Sequence, residues 1–344
     1  MHLLTRLLAM VLPIAVLAPG LAVILAVEPE VADLELERAG QVVNGAVVGP
    51  DAAVAIDMML AAAQPRVLVL GNSLANTNID PDALARQLDL APRDVAVVTV
   101  PNSIASHWYA ILANRVFSAG HRPELVVVIS SLHAMLLVEP YSEASRTSLI
   151  VQMEANEPVL DAYVRREPPW LERWRAQRLR WRQSALDTLR DESVALVMGG
   201  DTQEAMDRLF AGVQPDPAEV MTGGALVDVR AEHHAAWALP SPDRSLLGPL
   251  ADLVAAHDAE LVLVRSPTAP NLPKKLRDQV PANVEAEVAR LVAARGQTFF
   301  DAIDVALPAD AFANPRHMTL EGARQFTRIL GPDLRAAWAD ARAE

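Results

Sequence analysis

The chain has 344 residues, 51% apolar and 21% charged, which is ample for a packed core of one large or two small domains. Its net charge of -13 excludes a general nucleic-acid binder, since a phosphate backbone is matched by a basic surface. The absence of cysteine excludes disulfides and zinc–thiolate sites.

Residues 7–27 carry no charge. As a helix they would extend about 32 Å, close to the hydrocarbon thickness of a bilayer. The expectation for residues 1–28 is a transmembrane anchor, with a cleaved signal as the competing reading; the uncharged run is longer than a signal core usually is. Arg6 precedes the run, while Glu28, Glu30, Asp33, Glu35 and Glu37 follow it. The positive-inside tendency then puts the main domain on the extracytoplasmic, periplasmic side. Residues 29–63 are expected to be a spacer with one helical piece, Ala52 to Ala63.

From residue 64 the pattern changes. Val67 to Leu70 is a short apolar run bounded by Gln64-Pro65 and Gly71, which predicts a strand buried on both faces and hence a parallel sheet. Asp80-Pro81 supplies a cap and first-turn proline for a short helix. Further strands are predicted over Val95 to Val100 and Leu125 to Ile129, with a helix over Ala105 to Ala119 between them. The alternation stops after Glu139 and resumes at Leu246, where a helix runs to His257. A strand over Leu261 to Val264, a helix over Pro281 to Ala294, a strand over Thr298 to Phe300 and a terminal helix after Thr319 follow. Strand and helix alternating at this spacing build right-handed βαβ units. The fold class is therefore α/β, a three-layer sandwich on a five-stranded parallel sheet, split into 64–139 and 246–344 by a mostly helical insertion over 140–245.

Within the insertion, residues 165–182 hold seven arginines and two glutamates. Trp170, Trp174 and Trp181 fall within about 40° of each other on a helical wheel. This stripe is suited to a membrane interface or a partner, or simply to packing on the main domain with the arginines solvated.

Open α/β sheets bind ligands at the carboxyl ends of their strands, and Gly71-Asn72-Ser73-Leu74 turns the chain there, which makes Ser73 a candidate nucleophile. A serine hydroxyl needs a base, and histidine is suited to that task near neutrality. Of the eight histidines, His317 stands in the stretch Asn314-Pro315-Arg316-His317 just before the terminal helix. His233-His234 with Glu232 lack a spaced partner, and no metal site or cofactor is expected.

The turn GNSL and the late N-x-x-H stretch together resemble the SGNH (GDSL-type) hydrolase superfamily. The order of elements is similar to its membrane-anchored branch, which handles acyl groups on envelope polymers, such as the D-alanine transfer protein of teichoic acid modification and the alginate acetylation proteins. The resemblance implies a serine at Ser73 and a histidine at His317, with Asn314 where the family has aspartate. It also implies an oxyanion hole from the Ser73 amide, a glycine after the second strand and an asparagine after the third. Asn102 stands in the glycine position, and asparagine tolerates left-handed backbone. Ser130-Ser131-Leu132-His133 stands at the third block, with Leu132 where the asparagine belongs.

Asparagine at 314 lacks the charge that stabilises an imidazolium, and its amide is able to select the opposite tautomer of His317. Asp301, Asp304 and Asp310 are nearby in sequence as substitutes, with Asp301 either in the cleft or capping the next turn. The expected function is an extracytoplasmic acyl-ester hydrolase or O-acyltransferase acting on an acylated envelope glycan or polymer. The alternative is a silent module that binds a glycan or partners a membrane O-acyltransferase.

Overall fold

A computed structural model describes residues 42–43, 50–140, 143–153, 157–164, 171, 174, 178, 239–270, 272 and 283–340. The expected anchor, most of the spacer, and Trp170, Trp181 and His233-His234 of the insertion lie outside the described residues. Among the described residues no helix is long and apolar enough to cross a membrane.

The strands are β1 (Val42–Val43), β2 (Val67–Gly71), β3 (Val95–Thr99), β4 (Leu125–Ser130), β5 (Glu260–Arg265) and β6 (Thr298–Asp301), in the sheet order β1-β3-β2-β4-β5-β6. Every pairing is parallel. Five full strands thus form the expected sheet, and the two-residue β1 extends its edge beside Val97 and Val98.

Alternation along each strand divides the core in two. Leu68, Leu70, Val98, Val126, Val128, Leu261 and Leu263 face one side, where they meet Ile56, Trp108, Leu250 and Val288. Val67, Val69, Val97, Val127, Ile129 and Val264 face the other, where they meet Ala75, Leu84, Phe326 and Leu330. The strand residues of β2, β3 and β4 are buried throughout, as the apolar runs require when helices cover both faces. The first layer comprises α1 (Pro50–Ala63), α4 (Ala105–Ile111), α8 (Leu247–Ala255) and α9 (Val284–Ala293). The second comprises α2 (Ser73–Asn78), α3 (Pro81–Gln87) and α10 (Leu320–Asp340).

The expected spacer differs over its second half. Ile56, Met59 and Leu60 of α1 are completely buried against the sheet, so this helix is part of the packed domain. Its Ala- and Met-rich composition is that of a core-facing helix. Helix α4 is shorter than expected because it widens into a π-helical turn over Leu112–Phe117. Of the insertion, α6 (Glu143–Ile150) and α7 (Pro158–Asp161) are described, after α5 (Leu132–Leu136).

Strands β3 and β4 lie on opposite sides of β2, so the connections leaving β2 and β3 diverge at its carboxyl end and open a crevice there. A Cβ on Gly71 would sit 2.3 Å from the Ile129 carbonyl oxygen and 2.5 Å from Ala75 Cβ. Glycine at 71 is what lets the serine turn lie against β4.

Candidate functional site

Ser73 is the first residue of α2, exposed at the crevice. Asn72 caps this helix, its Oδ1 accepting from the Leu74 N–H at 3.0 Å, as an asparagine before a helix is expected to do. Its Nδ2 donates to Ser130 Oγ at 2.8 Å, which ties the turn to the end of β4.

His317 comes from a closed loop. Buried Phe312 and Met318 bridge in antiparallel fashion at its base, and the Ala313 N–H donates to the His317 carbonyl at 2.8 Å. A Cβ on Gly322 would fall 1.9 Å from the Ala311 carbonyl oxygen, so glycine is required where α10 passes under this loop. Ser73 Oγ and His317 Nε2, 244 residues apart in sequence, are 2.9 Å apart.

Asn314 is behind the imidazole, its Oδ1 3.0 Å from His317 Nδ1. The same oxygen accepts from the backbone N–H groups of Arg316 at 3.1 Å and His317 at 3.0 Å, an Asx-turn. Backbone N–H groups only donate, so the atom they face is the oxygen. Nδ1 must therefore carry the proton and donate it, which leaves the Nε2 lone pair for the Ser73 hydroxyl. The expectation that asparagine endangers the tautomer is corrected here: the backbone turns the amide so that it selects the tautomer a general base needs.

Asp301 does not take the place of the missing acid. Its Oδ2 pairs with Arg265 Nη1 at 3.1 Å, and its Oδ1 accepts from the Ile303 N–H at 3.1 Å, capping the turn after β6. The buried Arg265 also pairs with Glu285 at 2.9 Å. Asp304 and Asp310 are exposed. Among the described residues no group of three or more His, Cys, Asp or Glu is placed to hold a metal ion.

Asn102 has a φ of 58°, the left-handed conformation for which its glycine-like position was singled out. Its loop is anchored from below and above. Buried Ser103 donates to the Gly71 carbonyl at 3.0 Å and accepts from Trp108 Nε1–H at 2.9 Å, while Ser145 Oγ of α6 donates to the Asn102 carbonyl at 3.2 Å. Ser145 is held in turn by His107, whose Nε2–H donates to the Ser145 carbonyl at 2.9 Å and whose Nδ1 accepts from the Ile104 N–H. Complete burial lowers the His107 pKa to about 4, so the ring is neutral. At the third block Leu132 is buried in the core, Ser131 caps the helix that follows, and Ser130 is joined to Asn72.

Of the residues singled out from the sequence, the fold brings Ser73, His317 and Asn314 together, and Asn102 lies on the loop after β3 that Ser103 ties to Gly71. Sequence reasoning missed Asn72, Ser103 and Ser130, which tie the crevice together. Asn72 carried a signal, being a cap residue before a helix; the two serines carried none. The chain matches no model of a known protein family and no curated protein.

Proposed function

We propose that this chain is an SGNH-like serine acyl-ester hydrolase or O-acyltransferase that works outside the cytoplasm on an acylated envelope glycan or polymer. The observation that carries the reading is the series Ser73 Oγ, His317 Nε2, His317 Nδ1, Asn314 Oδ1, with links of 2.9 and 3.0 Å.

The chemistry follows from that order. Ser73 Oγ attacks the acyl carbonyl carbon as its proton passes to His317 Nε2, and the carbonyl electron pair moves onto oxygen. The Ser73 N–H, at the first helical position where no intrahelical carbonyl lies behind it, and the Asn102 N–H are the donors for that oxyanion. Collapse expels the alcohol, which takes the proton from Nε2 and leaves an acyl-serine. Water then releases the acid, or a sugar hydroxyl accepts the acyl group, with His317 again removing the proton. Asn314 orients the ring throughout but adds no charge to balance the imidazolium.

Leu132, buried where the resemblance calls for an asparagine amide, favours a second reading: a silent module that binds a glycan or docks on a membrane O-acyltransferase. A fluorophosphonate probe separates the two. Its P–F bond breaks as the Ser73 Oγ–P bond forms, so an active site gives a covalent adduct that Ser73→Ala and His317→Ala abolish. Absence of any Ser73-dependent adduct on the folded protein leaves the binding module.

A further inference from the structure

We infer that Asn78 is a positioning residue that sets the distance between Ser73 and His317. The inference deepens the proposed reading and rests on it for its catalytic consequence.

Asn78 is the last residue of α2, the helix that begins with Ser73, and it is fully buried. Its Nδ2 donates to the Arg316 carbonyl at 2.9 Å and to Ser266 Oγ at 2.7 Å. Its Oδ1 accepts from the Met318 N–H at 3.0 Å and faces Thr77 Oγ1 at 2.8 Å. A primary amide has two N–H donors and two acceptor lone pairs; both donors and the acceptor facing the Met318 N–H are used, and the remaining lone pair shares the single Thr77 hydroxyl proton with the Ser73 carbonyl. The orientation is unambiguous, because the Met318 N–H only donates and the Arg316 carbonyl only accepts.

The two backbone partners, Arg316 and Met318, are the residues on either side of His317. One amide on the serine's own helix therefore grips the histidine's loop immediately before and after the imidazole. Ser73 and His317 belong to segments far apart in the chain, and this clamp joins them through one side chain and one turn-and-a-half of helix. The dimensions admit little else. Aspartate would set a carboxylate oxygen against the Arg316 carbonyl, glutamine is a methylene longer in a closed space, and leucine would remove the bonds that the Arg316 carbonyl and the buried Met318 N–H make to Asn78. Asn314 fixes which way the ring faces; Asn78 fixes where the ring stands.

The test uses the full chain and three variants: Asn78→Ala, Asn78→Asp and Ser266→Ala. Ser266→Ala removes one of the amide's bonds but leaves both bonds to the histidine loop, so it controls for packing alone. The fluorophosphonate labelling rate of Ser73 is measured for each from pH 5 to 9, beside thermal unfolding. Displacing a reacting group by about 1 Å costs about 10²-fold, and that is the loss expected in Asn78→Ala and Asn78→Asp, with a far smaller one in Ser266→Ala. Equal losses in Asn78→Ala and Ser266→Ala overturn the inference, as does labelling that Asn78→Ala leaves unchanged. Should Asn78→Ala not fold, Asn78→Asp, similar in size and retaining the acceptor oxygen, carries the same comparison.

A second readout does not depend on activity. With histidine labelled in nitrogen-15, the His317 ring of the wild type is expected as the Nδ1–H tautomer. Asn78→Ala should shift its resonances and Ser266→Ala should not. If the wild type takes no probe, the hydrolase reading fails while this spectrum still decides the clamp: an unmoved His317 ring in Asn78→Ala overturns it.

Discussion

Asn314 and His317 form a pair whose polarity is fixed by the backbone between them. The Asn314 oxygen gathers the N–H groups of Arg316 and His317 as well as ring Nδ1, and this single convergence assigns both the amide orientation and the histidine tautomer. Aspartate could make the same three bonds. What asparagine withholds is the charge that balances an imidazolium during proton transfer.

Asn314→Asp is therefore expected to raise ester hydrolysis roughly tenfold or more, since the opposite change in a Ser-His-Asp triad costs about 10⁴. Asn314→Leu, similar in size but without an acceptor, should reduce it about 10²-fold by releasing the tautomer. The measurement is turnover of a chromogenic acyl ester, with Ser73→Ala in each background to show that the signal is serine-dependent. No gain in a folded Asn314→Asp means that protonation of His317 does not limit the reaction.

At Asn102 the constraint is on the backbone. Asn102→Gly keeps access to the φ of 58° and should retain the fold and most of the labelling rate. Asn102→Val puts a β-branched residue into left-handed backbone, a conformation that costs about 1–2 kcal/mol even without branching. Urea denaturation should show at least that loss in Asn102→Val, together with slower fluorophosphonate labelling. Equal labelling in the two variants would remove the Asn102 amide from the oxyanion hole.

Much of this architecture was legible in the chain because local chemistry determines it. Val67 to Leu70 and Leu125 to Ile129 are short, valine-rich and apolar on every residue, a pattern that suits a strand covered on both faces, and Asp80-Pro81 starts its helix as written. Ser73 and His317 were legible through the resemblance of their motifs. Asn78 was not: within its own helix it is one more polar residue, and its partners Ser266, Arg316 and Met318 lie at least 188 positions away. Asp301 illustrates the opposite case, because both of its sequence readings were plausible until the buried Arg265 beside it decided between them. The helix at 50–63 read as a spacer because its burial depends on a sheet face that its own residues do not specify.

Gly71 tests the packing that brings the serine turn against β4. In Gly71→Ala the new methyl group would lie 2.3 Å from the Ile129 carbonyl oxygen and 2.5 Å from Ala75 Cβ. Neither is the far end of a flexible side chain, so β4 and α2 must separate. The expected cost is about 1–3 kcal/mol, the range for overpacked cores, with Ser73 displaced from His317. Chemical denaturation measures the first effect and fluorophosphonate labelling the second. A variant as stable and as reactive as the wild type would mean that the two elements part without strain.

The last prediction concerns His107, which couples acid to the loop bearing Asn102. Its ring accepts from the Ile104 N–H and donates to the Ser145 carbonyl, and protonation would turn the accepting nitrogen into a second donor facing an N–H. Burial is the larger cause of its lowered pKa, about 4 when folded against an ordinary value of 6.5. The unfolded chain therefore takes up a proton that the folded chain refuses between those two values. The stability due to the neutral ring is present above pH 6.5 and is lost as pH falls toward 4; it amounts to about 3 kcal/mol in all, with about 2 kcal/mol of it lost between pH 7 and 5. Urea denaturation of the wild type and His107→Gln at those two pH values isolates the effect from the titration of carboxylates common to both. Glutamine offers a donor and an acceptor but no titration, so the wild type should lose about 2 kcal/mol more than the variant on moving to pH 5. Equal losses would mean that the folded protein admits a proton to His107 as readily as water does, and the link from His107 through Ser145 to the Asn102 carbonyl would then not depend on a neutral ring.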